Sequence, residues 1–530
     1  MNGRRRLWVL VAMGLLLAAD IAPLPRSVDA VVLAGPYARL LAASTDLGAS
    51  RSGDAQLTVT LPDARTPQAL IGWAGAHSLR VRWRPGDPWA VVEGAAERLA
   101  RAFDVPVRDY RGQRGQVFYA SAQQPAVPAA LAGSVTDIGR ILGYTPHDMA
   151  RPDLLPLDVP RQGLGPDALL TAYNAQPLAA AGFTGKGATI VFFAFDGFEQ
   201  SDLDMFSDTS GLPRFTPVLV GGQPGPSTGE TVMDLEVAHA IAPDAQLVVV
   251  NARPTVEGDG GYEKVGQLFE ATDRQFPGAV WSLSIGWGCD RLHGVADLAP
   301  VRAAVAAAQR RGTTAFDASG DNGGLECKGG ADWSAPPGPD DIGLDAVASM
   351  PEMTSVGGTT LSTDTQGRWL SERAWVDVPM SLGSTGGVSK LYARPAFQAG
   401  VGTSRDNTQR LVPDVAAVAD PFTGVRIVLD GQPRIGAGTS QAAPIWAALA
   451  VLMNQYLQAH GGRPLGGDLN PLLYQVASGS RQPGFRDVSL GANAVDVSTP
   501  GYDLVTGLGS PNVDNLARDL LAVQTGAPRR

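Results

Sequence analysis

Gly436-Ala437-Gly438-Thr439-Ser440-Gln441-Ala442-Ala443-Pro444 sets a serine where a glycine turn runs into an apolar helical segment, Ile445-Trp446-Ala447-Ala448-Leu449. Glycines allow backbone conformations closed to other residues, so a side chain here can be presented at a helix start. A helix N-terminus offers free amide donors and the positive end of a dipole, both useful to a developing oxyanion. A serine hydroxyl is inert until a base sits beside it, so the reading turns on which base this chain supplies.

Histidine is the usual partner, and the chain has only five: His77, His147, His239, His293 and His460. None lies in the His-Gly-Thr-His-like helix start of a subtilisin-type triad. His239 follows Asp234 on one predicted helix, but ~100° per residue turns it well off that face. Carboxylates fit better. Glu230 and Asp234 stand four apart at the start of an apolar helix and share a face. A solvated helix face is the ordinary explanation of such a pair. Here Val232, Met233, Leu235 and Val237 surround Asp234, which predicts partial desolvation and a raised pKa. Two such carboxyls can share a proton and serve as a general base in acid. A third, Asp321, lies in Ala318-Ser319-Gly320-Asp321-Asn322-Gly323-Gly324, a Gly-rich loop after a predicted strand. It either caps its own turn or, as a neutral acid, donates a hydrogen bond to an oxyanion.

The 530-residue chain is long enough for two or three domains. A net charge of −10 and a pI near 5.1 argue against a nucleic-acid partner. Arg4, Arg5 and Arg6 precede an apolar run from Leu7 to Ala19, too short to span a bilayer comfortably. Residues 1–30 therefore read as a secretory signal, and the protein as secreted, extracellular or periplasmic; an uncleaved anchor is the alternative. Export favours a disulfide between the only two cysteines, Cys289 and Cys327, and that count leaves little room for structural zinc.

Residues 31–142 mix strand-like runs such as Gln56–Leu61 and Leu79–Trp83 with helical stretches, a small α+β domain. A Pro-rich connector occupies 143–165, with Pro152, Pro156 and Pro160 inside it. From 166 to 525, short apolar strands alternate with helices, which predicts a parallel sheet covered on both faces. Reactive groups gather at the carboxyl ends of such strands.

Taken in order, Glu230-xxx-Asp234, Ser-Gly-Asp321 and Gly-Thr-Ser440-xxx-Pro444 resemble the sedolisin (serine-carboxyl peptidase) family. Ser284-Ile285-Gly286-Trp287-Gly288, Val356-Gly357-Gly358-Thr359, Gly386-Gly387-Val388-Ser389 and Val412-Pro413-Asp414-Val415 extend the resemblance. It implies a subtilisin-like α/β fold behind a small α+β, ferredoxin-like prodomain. It also implies acid-active peptide hydrolysis, as an endopeptidase or alternatively a tripeptidyl-peptidase. Ser440 would be the nucleophile, Glu230 its base and Asp234 the residue that orients Glu230. Asp321 would form the oxyanion hole with the Ser440 amide. The prodomain would chaperone folding, block the cleft and be removed in acid. The partners implied are polypeptide substrates and the chain's own prodomain, in a monomer. The family binds one calcium ion, here implied at Asp487, Val488, Thr499, Gly501 and Asp503, with Thr499 replacing a glycine. Two departures stand out. Some members extend the carboxylate network with a glutamate where this chain has Ala194, near Asp196, although Trp287 matches the accompanying tryptophan. Ala437 replaces a glycine or serine. A catalytically silent binding homologue and a hydrolase using His239 are the competing readings.

Overall fold

The computed structural model describes residues 31–113, 115–146, 163–257, 260–328, 333, 336–401, 408–467, 469–478 and 483–527. The predicted signal, residues 1–30, and most of the predicted connector, 147–162, lie outside the described residues. Among the described residues no helix is long and apolar enough to cross a membrane.

The main sheet and its covering helices are β1 (Thr189–Ala194), β2 (Val218–Val220), α1 (Glu230–Ile241), β3 (Gln246–Asn251), α2 (Gly261–Gln275), β4 (Val280–Leu283), α3 (Ala299–Arg310), β5 (Thr314–Ala318), β6 (Thr354–Thr363), β7 (Trp369–Ala374), β8 (Val415–Val418) and α4 (Thr439–Ala459). The strands run in the order β2-β3-β1-β4-β5-β6-β7, with β8 also paired to β6. All are parallel except β7. A short turn, organised by the Asp364 side chain on the Gln366 and Arg368 amides, returns the chain from β6, so β7 must pair antiparallel.

Pleating sends alternate residues to opposite faces, and the apolar strands serve both. Ile190 and Phe192 of β1 join a cluster with Val232 and Leu235 of α1 and Trp446 of α4. Val191 and Phe193 join Val265 and Phe269 of α2 and Val301 and Val305 of α3 on the other face. The expected two-sided parallel sheet is therefore present, with one antiparallel edge. Helix α4 is buried continuously from Thr439 to Met453, which is why its sequence is apolar on every side.

The N-terminal residues have a separate core. Strands Arg80–Arg82, Trp89–Gly94, Ala55–Thr60 and Asp137–Ile138 lie side by side in that order, all antiparallel. With helices Gln68–Ala76 and Ala96–Phe103 this is a βαββαβ arrangement, matching the ferredoxin-like expectation. A second sheet (Thr45–Ala49, Arg108–Arg111, Val117–Ala120) accompanies it. The larger unit meets these elements through arginines of the smaller one. Arg84 forks onto Glu270 at 2.7 Å from each nitrogen, Arg82 reaches Glu263, and Arg39 reaches Asp341 at 2.6 Å. Asp297 Oδ1 accepts the Arg140 amide at 2.8 Å.

Candidate active site

Three loops at the carboxyl ends of β1, β4 and β5 converge on the N-termini of α1 and α4. Ser440 is the second residue of α4, and Gly438 before it has φ 86°. A Cβ at Gly438 would also stand 2.5 Å from Asp321 Oδ2. Glycine is required there both for the turn and for the approach of Asp321. Ala437 is not among the positive-φ residues, so its substitution introduces no backbone strain.

Asp321 Oδ1 accepts the Thr439 amide at 2.7 Å and the Thr439 hydroxyl at 2.8 Å. The same hydroxyl accepts the Gly320 amide at 3.0 Å. Thr439 thus pins the Asp321 loop to the start of α4, a role invisible from its place in the sequence.

Pro444 explains a second contact. It lacks an N–H, so the Ser440 carbonyl, four residues earlier, has no helical donor. The Ser284 hydroxyl lies 3.1 Å from that carbonyl and 2.9 Å from Asp234 Oδ1, bridging the two with its single proton. Ser284 belongs to a motif singled out in the sequence, but only the fold reveals its bridging position. The Ser-xxx-Pro spacing was the available signal.

Glu230 and Asp234 are not on a solvated face. They are 5% and 3% exposed, and Ser440 is 3% exposed. Burial pushes the Glu230 carboxyl well above its usual range, and the charges of Asp234, Asp196 and Asp321 add to the shift. Hydrogen bonding from Ser440 opposes it. Neither Glu230 oxygen has a partner at good hydrogen-bond geometry, so the Ser440 contact is loose, as nucleophile–base contacts often are without substrate. Burial likewise raises Asp234, against the Ser284 hydrogen bond. The result is a dry pair of carboxyls beside a serine hydroxyl.

Asp196 does not extend this network toward Trp287. Its carboxylate is taken up by the first turn of α1 and the residues before it. Oδ2 accepts from the Thr228 amide (3.0 Å), the Thr228 hydroxyl (2.8 Å) and the Glu230 amide (3.2 Å). Oδ1 accepts from the Thr231 amide (3.1 Å) and hydroxyl (2.6 Å). Trp287 is fully buried against Phe195, ring centres 5.8 Å apart, and its Nε1 has no partner. Ala194 offers it no acceptor.

The histidine alternative finds no geometry among the described residues. His239 stacks on Phe215 and its Nε2 meets the Pro213 carbonyl at 2.7 Å. His293 bonds Tyr262, while His77 and His460 bond carbonyls of their own helices. His147 lies outside the described residues.

The chain is 30% identical over 483 residues to kumamolisin of Bacillus sp. (strain MN-32), spanning 85% of this chain and 82% of that protein. The chain belongs to the sedolisin family. It is accordingly a hydrolase, a serine-type peptidase of the serine-carboxyl class. Tripeptidyl-peptidase 1 of Homo sapiens is 26% identical over 429 residues, covering 74% of this chain and 72% of its own. Among solved structures, Pseudomonas sedolisin, a serine-carboxyl proteinase complexed with two molecules of pseudo-iodotyrostatin, superposes with a TM-score of 0.56 at 25% identity. It covers 67% of this chain and 97% of its own. No family model matches the chain.

Away from this cluster, Cys289 and Cys327 form a disulfide, Cα atoms 4.8 Å apart, tying the loop after β4 to the loop after β5. Near the C-terminus the loop carrying Thr499 and Gly501 folds onto two carboxylates. Gly501 donates to Asp487 Oδ2 at 3.0 Å and Thr499 to Asp503 Oδ2 at 3.2 Å. Burial raises Asp503 to about 6, opposed only by backbone amides and the Thr506 hydroxyl. Two carboxylates on one loop pair, with no cationic side chain bonded to the buried one among the described residues, make a donor set that fits a hard cation.

Proposed function

We propose that the chain is the zymogen of a secreted, acid-active serine-carboxyl endopeptidase, with Ser440 as nucleophile and Glu230 as its base. The supporting observation is the burial of the Glu230 carboxyl beside the Ser440 hydroxyl, with no histidine in reach among the described residues. Ser440 Oγ attacks the scissile carbonyl carbon as its proton passes to Glu230. Asp234, held by Ser284, keeps Glu230 oriented and lets the pair carry one proton between them. Asp321 in its neutral form, with the Ser440 amide, donates to the oxyanion that forms on the carbonyl oxygen. Collapse of the tetrahedral intermediate expels the amine, which takes the proton from Glu230. Water then repeats the sequence on the acyl-enzyme. An imidazole base would be protonated and silent in acid, whereas a Glu–Asp pair that shares a single proton still offers one ionised carboxylate.

Calcium, when bound by Asp487 and Asp503 with the carbonyls of Val488, Thr499 and Gly501, would supply structural cross-linking near β8 and no catalytic step. Residues 31–142 would act as prodomain, docked through their arginines and released by cleavage in the connector.

The test is to hold the secreted full chain at about pH 4, sequence its new N-terminus and assay a denatured protein substrate. Ser440→Ala and Glu230→Gln should each abolish turnover, and Ser440→Ala should also abolish processing. Full turnover in either variant would overturn the assignment. Similarity to tripeptidyl-peptidase 1 supports a second reading, exopeptidase action, which product mass spectrometry separates: successive tripeptides rather than internal fragments.

A further inference from the structure

Helix α1 has an unusual start. Its N-cap residue, Gly229, has φ 111° and no side chain with which to cap. The first amides of a helix have no intrahelical acceptor and must find one elsewhere. Here they find Asp196, on a different loop and more than thirty positions earlier in the chain. The carboxylate is 2% exposed and accepts five hydrogen bonds, from Thr228, Glu230 and Thr231. The Thr231 hydroxyl also lies 2.9 Å from the Asp196 backbone carbonyl, so side chain and main chain grip the same turn. A bridge between Gly197 and Ser227 fixes the two segments side by side. Glu230 is the first residue of that turn, and its own amide is one of the five donors.

We propose that Asp196 is a positioning residue of this peptidase: its buried carboxylate clamps the first turn of α1 and thereby fixes Glu230 against Ser440. The inference rests on the reading of Glu230 as the base. It assigns Asp196 no contact with substrate. A carboxylate at a helix N-terminus is also favoured by the helix dipole, so the clamp stabilises the helix as it aims the side chain. The groups facing Glu230 are Asp234 from its own helix, Asp196 from the loop after β1, Asp321 from the loop after β5, and Ser440 from α4. Of the three charges, the Asp196 carboxylate alone lies outside the proposed catalytic set.

The experiment compares kcat, KM and the pH profile of kcat for Asp196→Ala, Asp196→Asn and wild type. Full chains are processed at about pH 4, and rates are normalised to folded protein by near-ultraviolet circular dichroism. A displacement of about 1 Å in a reacting group costs about 10²-fold, so Asp196→Ala should lose about that factor in kcat with KM nearly constant. Asp196→Asn keeps one accepting oxygen and should fall between the two. Both variants remove a negative charge facing Glu230, so the acidic limb of kcat should move to lower pH. A purely structural residue would lower the yield of folded enzyme and leave kcat per folded molecule unmoved, even with the limb displaced by the lost charge, which would overturn the proposal. If Asp196→Ala does not accumulate, Thr231→Val loosens the same clamp by removing its hydroxyl donor while keeping the Asp196 charge in place. Unchanged kcat in Thr231→Val would equally overturn it. Glu230→Gln is measured alongside. Activity there defeats the base assignment itself, whereas an inactive Glu230→Gln with a fully active Asp196→Ala defeats only the clamp.

Discussion

Glu236→Gln is the substitution whose outcome is most tightly bound to the structure. Glu236 lies on α1, six residues beyond Glu230, and is 0% exposed. Its Oε2 accepts the Val428 amide at 2.7 Å, and its Oε1 has no partner. Burial, with the Asp202 charge adding to it, pushes its pKa up to about 9. The folded protein therefore keeps this carboxyl protonated at pH 4 and at pH 7, while the unfolded chain ionises it near its ordinary 4.5. A raised folded-state pKa gives stability that is full below the unfolded value and declines as pH rises toward the folded one. Between pH 4 and pH 7 the loss from this one group is about 3 kcal/mol, at 1.36 kcal/mol per unit of the interval over which only the unfolded chain is ionised. Glutamine keeps the acceptor for Val428 and cannot ionise. Its stability relative to wild type should thus improve by about 3 kcal/mol from pH 4 to pH 7. For a unit of several hundred residues that is about 4 °C in Tm. The measurement is thermal unfolding of both chains in a Ser440→Ala background, which prevents self-digestion. Other titrating groups cancel in the difference between the two proteins. An equal Tm offset at both pH values would refute the reasoning, because it would mean Glu236 is charged in the fold.

Gly438→Ala should abolish turnover while the protein still folds, since a Cβ there meets both positive φ and the Asp321 carboxyl 2.5 Å away; substantial kcat would show the turn is not so constrained. If Asp487 and Asp503 hold calcium, chelation should lower Tm at pH 6 to 7 and do less at pH 4, where Asp503 binds a proton instead; an effect of equal size at both would count against that site. Arg39 holds Asp341 below the usual carboxylate range, so that pair stabilises docking above the range and is lost as pH falls. Arg39→Ala together with Arg84→Ala should release the N-terminal unit from connector-nicked Ser440→Ala chains at higher pH than the parent, read by size-exclusion chromatography. The shift should be modest, each such pair contributing about 1 kcal/mol or less.

The parts of this molecule that were legible in its sequence are those fixed by local pattern. Apolar runs such as Ile190–Phe193 announce strands buried on both faces, and the all-apolar segment after Ser440 announces a core helix. Glu230 and Asp234 could be paired because helical spacing alone puts them on one face. What stayed hidden are contacts between segments distant in the chain. Ser284 reaches the Ser440 carbonyl across 156 positions, and Asp196 reaches α1 across more than thirty. Nothing periodic marks such residues. The cue is an absence elsewhere: Pro444 has no amide for Ser440, and Gly229 has no side chain for the helix it begins. The sheet pairing Arg108–Arg111 with Thr45–Ala49 was missed for the same reason, its strands being separated by the whole βαββα run.

Burial of carboxyls ties the chemistry of this protein to its stability. Glu230 and Asp234 are raised because water is excluded from them, and exclusion of water is also what would make Asp321 and the Ser440 amide effective toward an oxyanion. The same exclusion extends beyond the site. Asp345, which accepts the Val347 and Ala348 amides at 2.8 Å each, is pushed up to about 7, and Asp290 and Asp297 to about 6. Asp317, buried on β5 with neither oxygen bonded, is likewise raised well above the usual carboxylate range. Every one of these groups makes the folded chain bind more protons than the unfolded chain across the mildly acidic range. Their contribution to stability falls with rising pH from about 4 to 7, opposed by the buried His293 and His239, which burial pushes down, and this is the reverse of a protein held by surface carboxylate pairs. Proton uptake on refolding, measured with an indicator dye at pH 5.5, should be net positive by several protons. Net release would mean that the buried carboxyls are ionised, and a fold with that many buried anions could not also keep a dry Glu–Asp base.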